Sequence, residues 1–436
     1  MGNDGNPKLC SHDDLPIWAQ DNDFILRGYR TPGGTSDELQ ARLAGSTSAS
    51  TSTSTSTANG ASNGARQRAG NGKEEADGSV LTTKLFEHDS VYKCWRSVWD
   101  YVHNETVNIH THFWGVQVAL VAIVLHTAEV LGWLPEQLRF VTHNPLFYPA
   151  AIVPPTPAIV SKDSWRSWLP VGRGAAAQSP SLPPSFNALV SLPVLRPSLM
   201  GPLHTIASQR PNDWKDVAGF AIFLIAAVVC LGFSSFFHTV ACHSRDFAHR
   251  CNKLDYIGIV VMIVGSFLPA LHYGFYCHPR LQAMYAFMIT SLGSGAMYTV
   301  MSRRYSTPAY RPIRTSVFLA LGLSAIVPVA HICAMYGFEA ISRTMGVHWL
   351  IASGAMYVVG ACTYMLRIPE RFSPGTFDYF GASHQIFHWF ILAAAFAHYV
   401  CIRRAYAFWH TAEAASGPLG GGAQAVCLAL EALRAS

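Results

Sequence analysis

The chain has 436 residues, of which 50% are hydrophobic and 13% are charged, and its formal net charge is +5 at pH 7. Most charges lie in the N-terminal region and in the gaps between apolar runs of about 20 residues, which excludes a single water-soluble domain and indicates a multi-pass membrane protein. No Lys/Arg run with interleaved aromatic residues is present, so we expect no nucleic-acid partner.

Residues 1–83 are predicted to form a disordered cytosolic tail. The tail is polar and contains the repeat STSASTSTSTSTANGASNGA at residues 46–65, which has too little apolar surface to offset the entropy of ordering the chain. Its start lacks the basic and apolar regions of a cleavable secretory signal. Residues 84–112 are predicted to be an interfacial amphipathic segment, because VYKCWRSVWDYV at residues 91–102 repeats apolar and aromatic residues at helical spacing.

Seven apolar segments follow, each long enough to cross a bilayer as a helix. They lie at about residues 113–134, 216–241, 255–276, 281–301, 315–336, 345–366 and 384–403. The pattern predicts an all-α membrane protein, a seven-transmembrane helix bundle over residues 113–403, with a C-terminal tail at residues 404–436. Pro269 and Pro328 lie inside two of the spans and predict kinks.

The connection between the first two spans contains a Pro-rich insert at residues 145–211. It holds 13 of the 25 prolines, one acidic residue, and no sustained helical or strand period. A structureless connection of that length is uncommon in a compact domain. Two interpretations stand side by side: a disordered outer loop, or translated non-coding sequence from a gene-model error.

The orientation follows from Lys and Arg in the short connections between spans. Nine lie on one side: Arg245, Arg250, Lys253, Arg303, Arg304, Arg311, Arg314, Arg367 and Arg371. The short connections of the other side contribute Arg280 and Arg343. The positive-inside bias therefore predicts a cytosolic N-terminus and an extracellular C-terminus, in the plasma membrane or the endoplasmic reticulum.

The ten cysteines are interpreted as buried apolar residues. They are scattered, mostly in or beside the apolar segments, with no CxxC pair and no compact spacing pattern. We therefore predict no disulfide framework.

Ionisable residues near the spans gather at one membrane face, where each is a functional candidate because such groups are costly at membrane depth. His238 ends the second span, Asp255 opens the third, and His384 and His388 open the seventh. With a cytosolic N-terminus, all four positions fall in the cytosolic layer.

His384 and His388 are four residues apart, which stacks their imidazoles on one helix face and suits chelation of one ion. Two histidines at this spacing also commonly hydrogen bond to neighbouring helices. His238 at the same depth favours the metal interpretation, since neutral imidazole suits zinc, and three protein ligands plus water are the arrangement of catalytic zinc. No cysteine lies nearby in a pattern that completes a closed four-ligand site.

Two further residues are candidates for chemistry at this site. Ser234 precedes His238 by four residues and shares its helix face, so its hydroxyl can bond a water or a substrate carbonyl, or simply its own helix carbonyl. Asp255 can orient a histidine, polarise a water, or pair with Lys253 or Arg250. The spacing does not choose among these roles.

The run HNETVNIHTH, residues 103–112, contains three histidines ahead of the first span. We expect its Glu105 and Asn108 to tie the entrance of that span to the rest of the bundle, and a second metal site is the alternative. The isolated histidines in or near spans are interpreted as helix–helix hydrogen-bonding residues: His126, His272, His331, His348 and His398.

Three separated motifs resemble the progestin and adiponectin receptor family, also called hemolysin III-like, and its fungal zinc-homeostasis branch. The resemblance covers about residues 85–403 outside the insert. The residues that carry it are Glu105, Asn108 and His112 in ETVNIHTH, Ser234, His238 and Asp255 in SSFFHTVACHSRDFAHRCNKLDYIG, and His384 and His388 in SHQIFHW. It implies a seven-helix bundle with a cytosolic N-terminus, zinc on the three histidines, and a water at Asp255.

The family is also similar to alkaline ceramidases, which implies hydrolysis of a sphingolipid amide such as ceramide, entering from the membrane lipids. Asp255 is then the candidate base and Ser234 the orienting donor. An extracellular ligand is a further implied partner, although the insert has no counterpart in the family and could reshape the outer face. The alternative is a non-enzymatic receptor with a structural zinc. A zinc transporter is disfavoured because the ligands cluster at one face, and a G-protein-coupled receptor because its N-terminus lies outside.

Overall fold

The computed structural model describes residue 6 and residues 8–33, 88–138, 146, 214–302, 305, 308–414, 427 and 431. The repeat at residues 46–65, nearly all of the Pro-rich insert, and most of the C-terminal tail lie outside the described residues. Within the described part the chain is mostly helical, as the apolar runs predict.

Ten α-helices, one short β-ribbon and four short 3-10 helices make up the described secondary structure. The strands are β1 (Leu9–Cys10) and β2 (Tyr29–Arg30), paired antiparallel. The helices are α1 (Val91–Asp100), α2 (Thr106–Val130), α3 (Trp214–Val240), α4 (Arg245–Gly274), α5 (Pro279–Met301), α6 (Arg311–Leu323), α7 (Ile326–Tyr336), α8 (Phe338–Met345), α9 (Val347–Leu366) and α10 (Ser383–Ala414). Each predicted span coincides with one of these helices or, for the fifth, with the pair α6 and α7.

Six helical segments among the described residues are long and apolar enough to cross a membrane. They lie in α2, α3, α4, the α6–α7 pair, α9 and α10. Helix α5 has 23 residues and occupies the predicted fourth span, but its Gly, Ser, Thr and Tyr residues lower its mean hydropathy below that of the six. The chain is thus an integral multi-pass membrane protein, and the seven-span count and the orientation stay predictions.

The fifth span is interrupted near the proline that predicted a kink. Helix α6 ends at Leu323 and α7 begins at Ile326. Pro328 has no N–H to donate to the carbonyl four residues earlier, that of Ser324, and its ring crowds that carbonyl. The α-helical hydrogen-bond pattern is therefore interrupted at Ser324 and Ala325, although both backbones stay in the right-handed helical region. Helix α4, by contrast, continues through Pro269.

The contacts divide the chain into two compact units, and the first contains Met1–Phe113, Gly232–Tyr256 and Leu366–Ile386. In this unit, α1 buries Cys94, Ser97 and Val98 and exposes Trp95 and Trp99. This two-faced helix agrees with the predicted amphipathic segment.

The N-terminal strap, residues 8–33, is ordered within the first unit, which corrects the prediction of a disordered tail in this part of the chain. The strap forms the β-ribbon and buries Leu9, Leu15 and Ile25. Gly33 marks a close approach: its N–H donates to the Cys242 carbonyl over 2.8 Å, and a Cβ there would lie 2.6 Å from the His88 carbonyl oxygen. Residues 34–83 make the first 83 residues polar on average, so the prediction overlooked the short apolar segment within residues 8–33.

The second unit contains Trp114–Leu231, Ile257–Met365 and Phe387–Ser436. Its isolated histidines bond between helices, as predicted. His398 Nε2 lies 2.9 Å from the Ser266 carbonyl, and His331 Nδ1 lies 2.7 Å from the Tyr285 hydroxyl. His272 contacts Gln282 over 2.9 Å. Each bond satisfies a polar group that is costly to leave unpaired in hydrocarbon.

One disulfide in the second unit departs from the interpretation of the cysteines as buried apolar residues. Cys277, just after α4, is bonded to Cys427 near the C-terminus. The two residues are 150 positions apart, so no spacing pattern in the sequence indicated the pair. The other eight cysteines are reduced, and six of these eight are buried.

Candidate metal centre

Three histidines from two helices form the candidate site. His238 lies in the last turn of α3, and His384 and His388 lie in the first two turns of α10. One ring nitrogen of each lies within 4.8 Å of the others. The rings of His238 and His384 have centroids 4.8 Å apart and are nearly perpendicular. Among the described residues, this is the one group of three such side chains placed to share an ion.

The start of α10 fixes the pair of histidines. Ser383 precedes His384, and its N–H donates to the Glu370 carboxylate over 2.7 Å, while its hydroxyl donates to the same carboxylate. Asn22 from the strap donates to Glu370 over 3.1 Å. A carboxylate at a helix N-terminus satisfies unpaired N–H groups and complements the helix dipole. Glu370 therefore anchors the turn that carries His384.

Glu105 orients the ring of His238. Its Oε2 lies 2.8 Å from His238 Nδ1 and accepts a hydrogen bond from Asn108 Nδ2 over 2.7 Å. Burial opposes ionisation of Glu105, but the charge and hydrogen bond of His238, together with the Asn108 bond, hold the pKa of this carboxyl below its usual range. With Nδ1 bonded to a carboxylate, the Nε2 of His238 is the nitrogen that carries the ligand lone pair.

Arg30 holds the end of the helix that carries His238. Its guanidinium donates to the carbonyl of His238 over 2.5 Å, to that of Thr239 over 2.8 Å, and to the Ser97 hydroxyl over 3.0 Å. These carbonyls end α3, where backbone acceptors have no helical partner and a cation is favourable. Arg30 is 4% exposed, so the cation is part of the interior of the first unit.

Asp255 and Ser234, the two candidate residues for chemistry, lie near His238. The Ser234 hydroxyl is hydrogen bonded to the Asp255 carboxylate, and Asp255 interacts electrostatically with His238. Both residues are buried. The partners of Asp255 thus include Ser234 and His238, and its role among the open alternatives stays a prediction.

The donor set fits a divalent ion. A tetrahedral zinc with bonds of about 2.1 Å holds its nitrogens about 3.4 Å apart, so shifts of about 1 Å bring the three rings together. A carboxylate on the second ring nitrogen, as Glu105 provides, is the usual support of a metal-binding histidine. The protein thus contains a possible three-histidine metal-binding site.

Two residues that support the site, Arg30 and Glu370, were not predicted from the sequence. For a third, Glu105, the sequence predicted a structural role but not the contact with His238. Arg30 lay in the predicted tail, although the apolar and aromatic residues around it in DFILRGYR were a signal of an ordered segment. Glu370 lies between Arg367 and Arg371, which were used only to predict the orientation in the membrane. Glu105 was expected to tie the first span to its neighbours, and its bonding to His238 specifies how.

Comparisons with known proteins agree with the motifs. The model of the haemolysin-III related family matches residues 189–399. The chain is 46% identical over 180 residues to the adiponectin receptor protein of Drosophila melanogaster. The aligned region is 41% of this chain and 40% of the fly protein. The match therefore spans less than half of the fly protein's length.

Two other relatives extend the match to plants and fungi. The chain is 35% identical over 332 residues to the heptahelical transmembrane protein ADIPOR1 of Oryza sativa subsp. japonica, covering 73% of this chain and 81% of the rice protein. It is 34% identical over 206 residues to the ADIPOR-like receptor IZH2 of Saccharomyces cerevisiae, covering 47% and 65% of the two chains. The family indicated by the three motifs is confirmed: the chain belongs to the progestin and adiponectin receptor family, the haemolysin-III-related membrane proteins.

Proposed function

We propose that the protein is a zinc-dependent hydrolase of a sphingolipid amide, ceramide or a close relative, acting at the cytosolic face of the membrane. The observation that carries the proposal is the group of three imidazoles with the hydrogen-bonded pair of Asp255 and Ser234 beside it. An acid–base residue next to an open three-histidine site is the composition of a hydrolytic zinc centre.

His238, His384 and His388 would hold the ion. Zinc is the proposed metal because three neutral imidazoles suit it and because it needs no redox partner. When bound, zinc supplies a Lewis acid that polarises a carbonyl and lowers the pKa of a coordinated water toward neutrality. The three-histidine set leaves a position for water or substrate.

Asp255 is the proposed general base. Its carboxylate accepts a proton from the attacking water, and later returns it to the leaving amine. Ser234 donates to that carboxylate and orients it. Glu105 keeps His238 in the tautomer that presents Nε2 to the ion. The substrate amide reaches these groups sideways from the membrane lipids.

Two independent observations support a cytosolic site. By the predicted order of the spans, the nine Lys and Arg of the short connections fall on the same side of the membrane as His238 and Asp255. The disulfide of Cys277 lies at the opposite end of α4 from Asp255, and disulfides persist in oxidising compartments. Because several relatives are named receptors, we infer that the activity is coupled to an extracellular ligand and to lipid or zinc homeostasis.

The Asp255→Asn variant tests catalysis directly. We expect it to retain zinc and to lose ceramide turnover by about 100-fold or more, since a positioned base contributes about that factor. Zinc content and release of the fatty acid from ceramide in detergent micelles are measured together. Asp246→Asn, an exposed carboxylate in the first turn of the same helix, is the matched control and should keep full turnover. Full turnover by Asp255→Asn contradicts the base role, and wild-type protein with zinc but no turnover favours a receptor with a structural zinc.

The Glu105→Gln variant tests the support of His238. We expect zinc affinity to fall by about 10–100-fold, because the amide cannot fix the tautomer as the carboxylate does. Competition with a chromophoric chelator measures the affinity. Asp89→Asn, which removes a half-exposed surface pair with Lys93, should leave it unchanged. Equal affinities of Glu105→Gln and wild type would show that the 2.8 Å contact does not orient a ligand.

A further inference from the structure

Cys94 and Cys242 form a close thiol pair outside the candidate metal centre. Cys94 lies in α1, and Cys242 lies two residues beyond the end of α3. Their sulfur atoms are 3.6 Å apart and hydrogen bonded, and both thiols are reduced. Cys251 and Val240 complete a small buried cluster around them. All of these residues belong to the first unit.

The pair has features that simple packing does not require. A disulfide needs its sulfurs at about 2.05 Å, so an approach of about 1.5 Å closes the bond. The backbone of Cys242 is held by the Gly33 N–H over 2.8 Å. Burial opposes ionisation of Cys242, but the hydrogen bond with Cys94 and the charge of Arg30 hold the pKa of Cys242 below the usual thiol range. The hydrogen bond and burial raise the pKa of Cys94.

The two thiols differ in access as well as in acidity. Cys94 is 0% exposed, whereas Cys242 is 7% exposed. A small oxidant therefore reaches Cys242 first, and Cys94 is in place as the second thiol. A more acidic, more accessible cysteine next to a second thiol is the arrangement of redox-sensitive pairs.

We propose that Cys94 and Cys242 form a reversible disulfide in response to a peroxide, and that this bond ties α1 to the end of α3 and slows release of an ion from the histidine cluster. Cys242 lies four residues after His238, just beyond the end of α3. A bond at Cys242 therefore restrains the segment that must move when His238 leaves the ion. The helix that carries the exposed Trp95 and Trp99 becomes covalently linked to the same segment.

The chemistry balances with peroxide as the oxidant. The Cys242 thiolate attacks one peroxide oxygen, the O–O bond breaks, and water and a Cys242 sulfenic acid form after proton transfer. The Cys94 sulfur then attacks the Cys242 sulfur, which expels a second water and closes the S–S bond. Two thiols are oxidised by two electrons, and one peroxide is reduced to two waters. A dithiol reductant reverses the bond by exchange.

The test uses the full chain in nanodiscs, treated with a few equivalents of hydrogen peroxide, blocked with a maleimide, digested, and mapped by mass spectrometry. We expect a Cys94–Cys242 cross-linked peptide that dithiothreitol removes. Cys242→Ser should lack it, and Cys251→Ser, which alters the third cysteine of the cluster, should keep it. The proposal is overturned if wild type gives no such peptide while other thiols oxidise, or if Cys251 pairs as readily.

The effect on the ion rests on the proposed zinc site and is measured separately. Zinc transfer to a chelator is followed before and after peroxide treatment. We expect release to be several-fold slower after oxidation in wild type and unchanged in Cys242→Ser. A disulfide that forms without slowing release overturns the regulatory part. Wild-type protein that never holds zinc overturns the proposed function instead, and the peptide map still decides the disulfide.

Discussion

Replacing both His384 and His388 by alanine should remove zinc from the purified protein. The wild type is expected to retain about one zinc ion per chain after dialysis against a weak chelator, because three imidazoles on two helices bind it together. The double variant keeps only His238, and a single imidazole does not hold the ion against the chelator. Elemental analysis of both proteins in detergent measures the difference.

A matched control separates loss of a ligand from loss of a buried imidazole. His398 lies on the same helix, is buried, and bonds the Ser266 carbonyl rather than the cluster. We expect His398→Ala to keep its zinc. Equal zinc in the double variant and the wild type would contradict the proposed ligands, and folded wild-type protein without zinc would remove the basis of the proposed hydrolysis.

The Arg30→Met variant should be strongly destabilised. Methionine keeps much of the side-chain volume but leaves the carbonyls of His238 and Thr239 without their charged donor. Loss of these charge-assisted bonds in a buried place is expected to lower the free energy of unfolding by about 2–4 kcal/mol. Zinc affinity should fall as well, because the turn that carries His238 is no longer held. Thermal unfolding in detergent and chelator competition measure the two effects.

Arg27→Met provides the control within the same strap. The side chain of Arg27 is 48% exposed and lies 3.4 Å from Asp378, and such a pair contributes about 0–1 kcal/mol. We therefore expect little change in thermal unfolding and none in zinc affinity. If Arg30→Met behaves like Arg27→Met, the strap is not a support of the metal centre.

The helices could be predicted from the sequence because their signal is local. Runs of about 20 apolar residues must form helices in a bilayer, where every backbone N–H and C=O needs an internal partner. The predicted second span, residues 216–241, matches α3 (Trp214–Val240), and the sixth matches α9 (Val347–Leu366). The last helix was predicted too short, since α10 continues to Ala414 past the arginines at its predicted end.

The three candidate ligands could also be placed from the sequence, and the reason is again local. His384 and His388 share a helix face by their spacing, and the order of the spans puts His238 and Asp255 at the same helix ends. The depth of a residue along a span follows from counting. The structure adds the fact that these side chains come within reach of one another, which depth alone does not specify.

The sequence by itself thus determined the membrane class, the position of most spans and the family, and it predicted the membrane layer of the candidate site. Only the tertiary structure decided which distant residues support that site. Arg30 meets the carbonyl of His238 across 208 residues, and Asn22 meets Glu370 across 348. Cys94 meets Cys242 across 148. No local pattern in the sequence predicts such pairs. Hydropathy and helical periodicity indicate which face of a segment is buried or exposed, but they do not indicate which distant polar residue it contacts after folding.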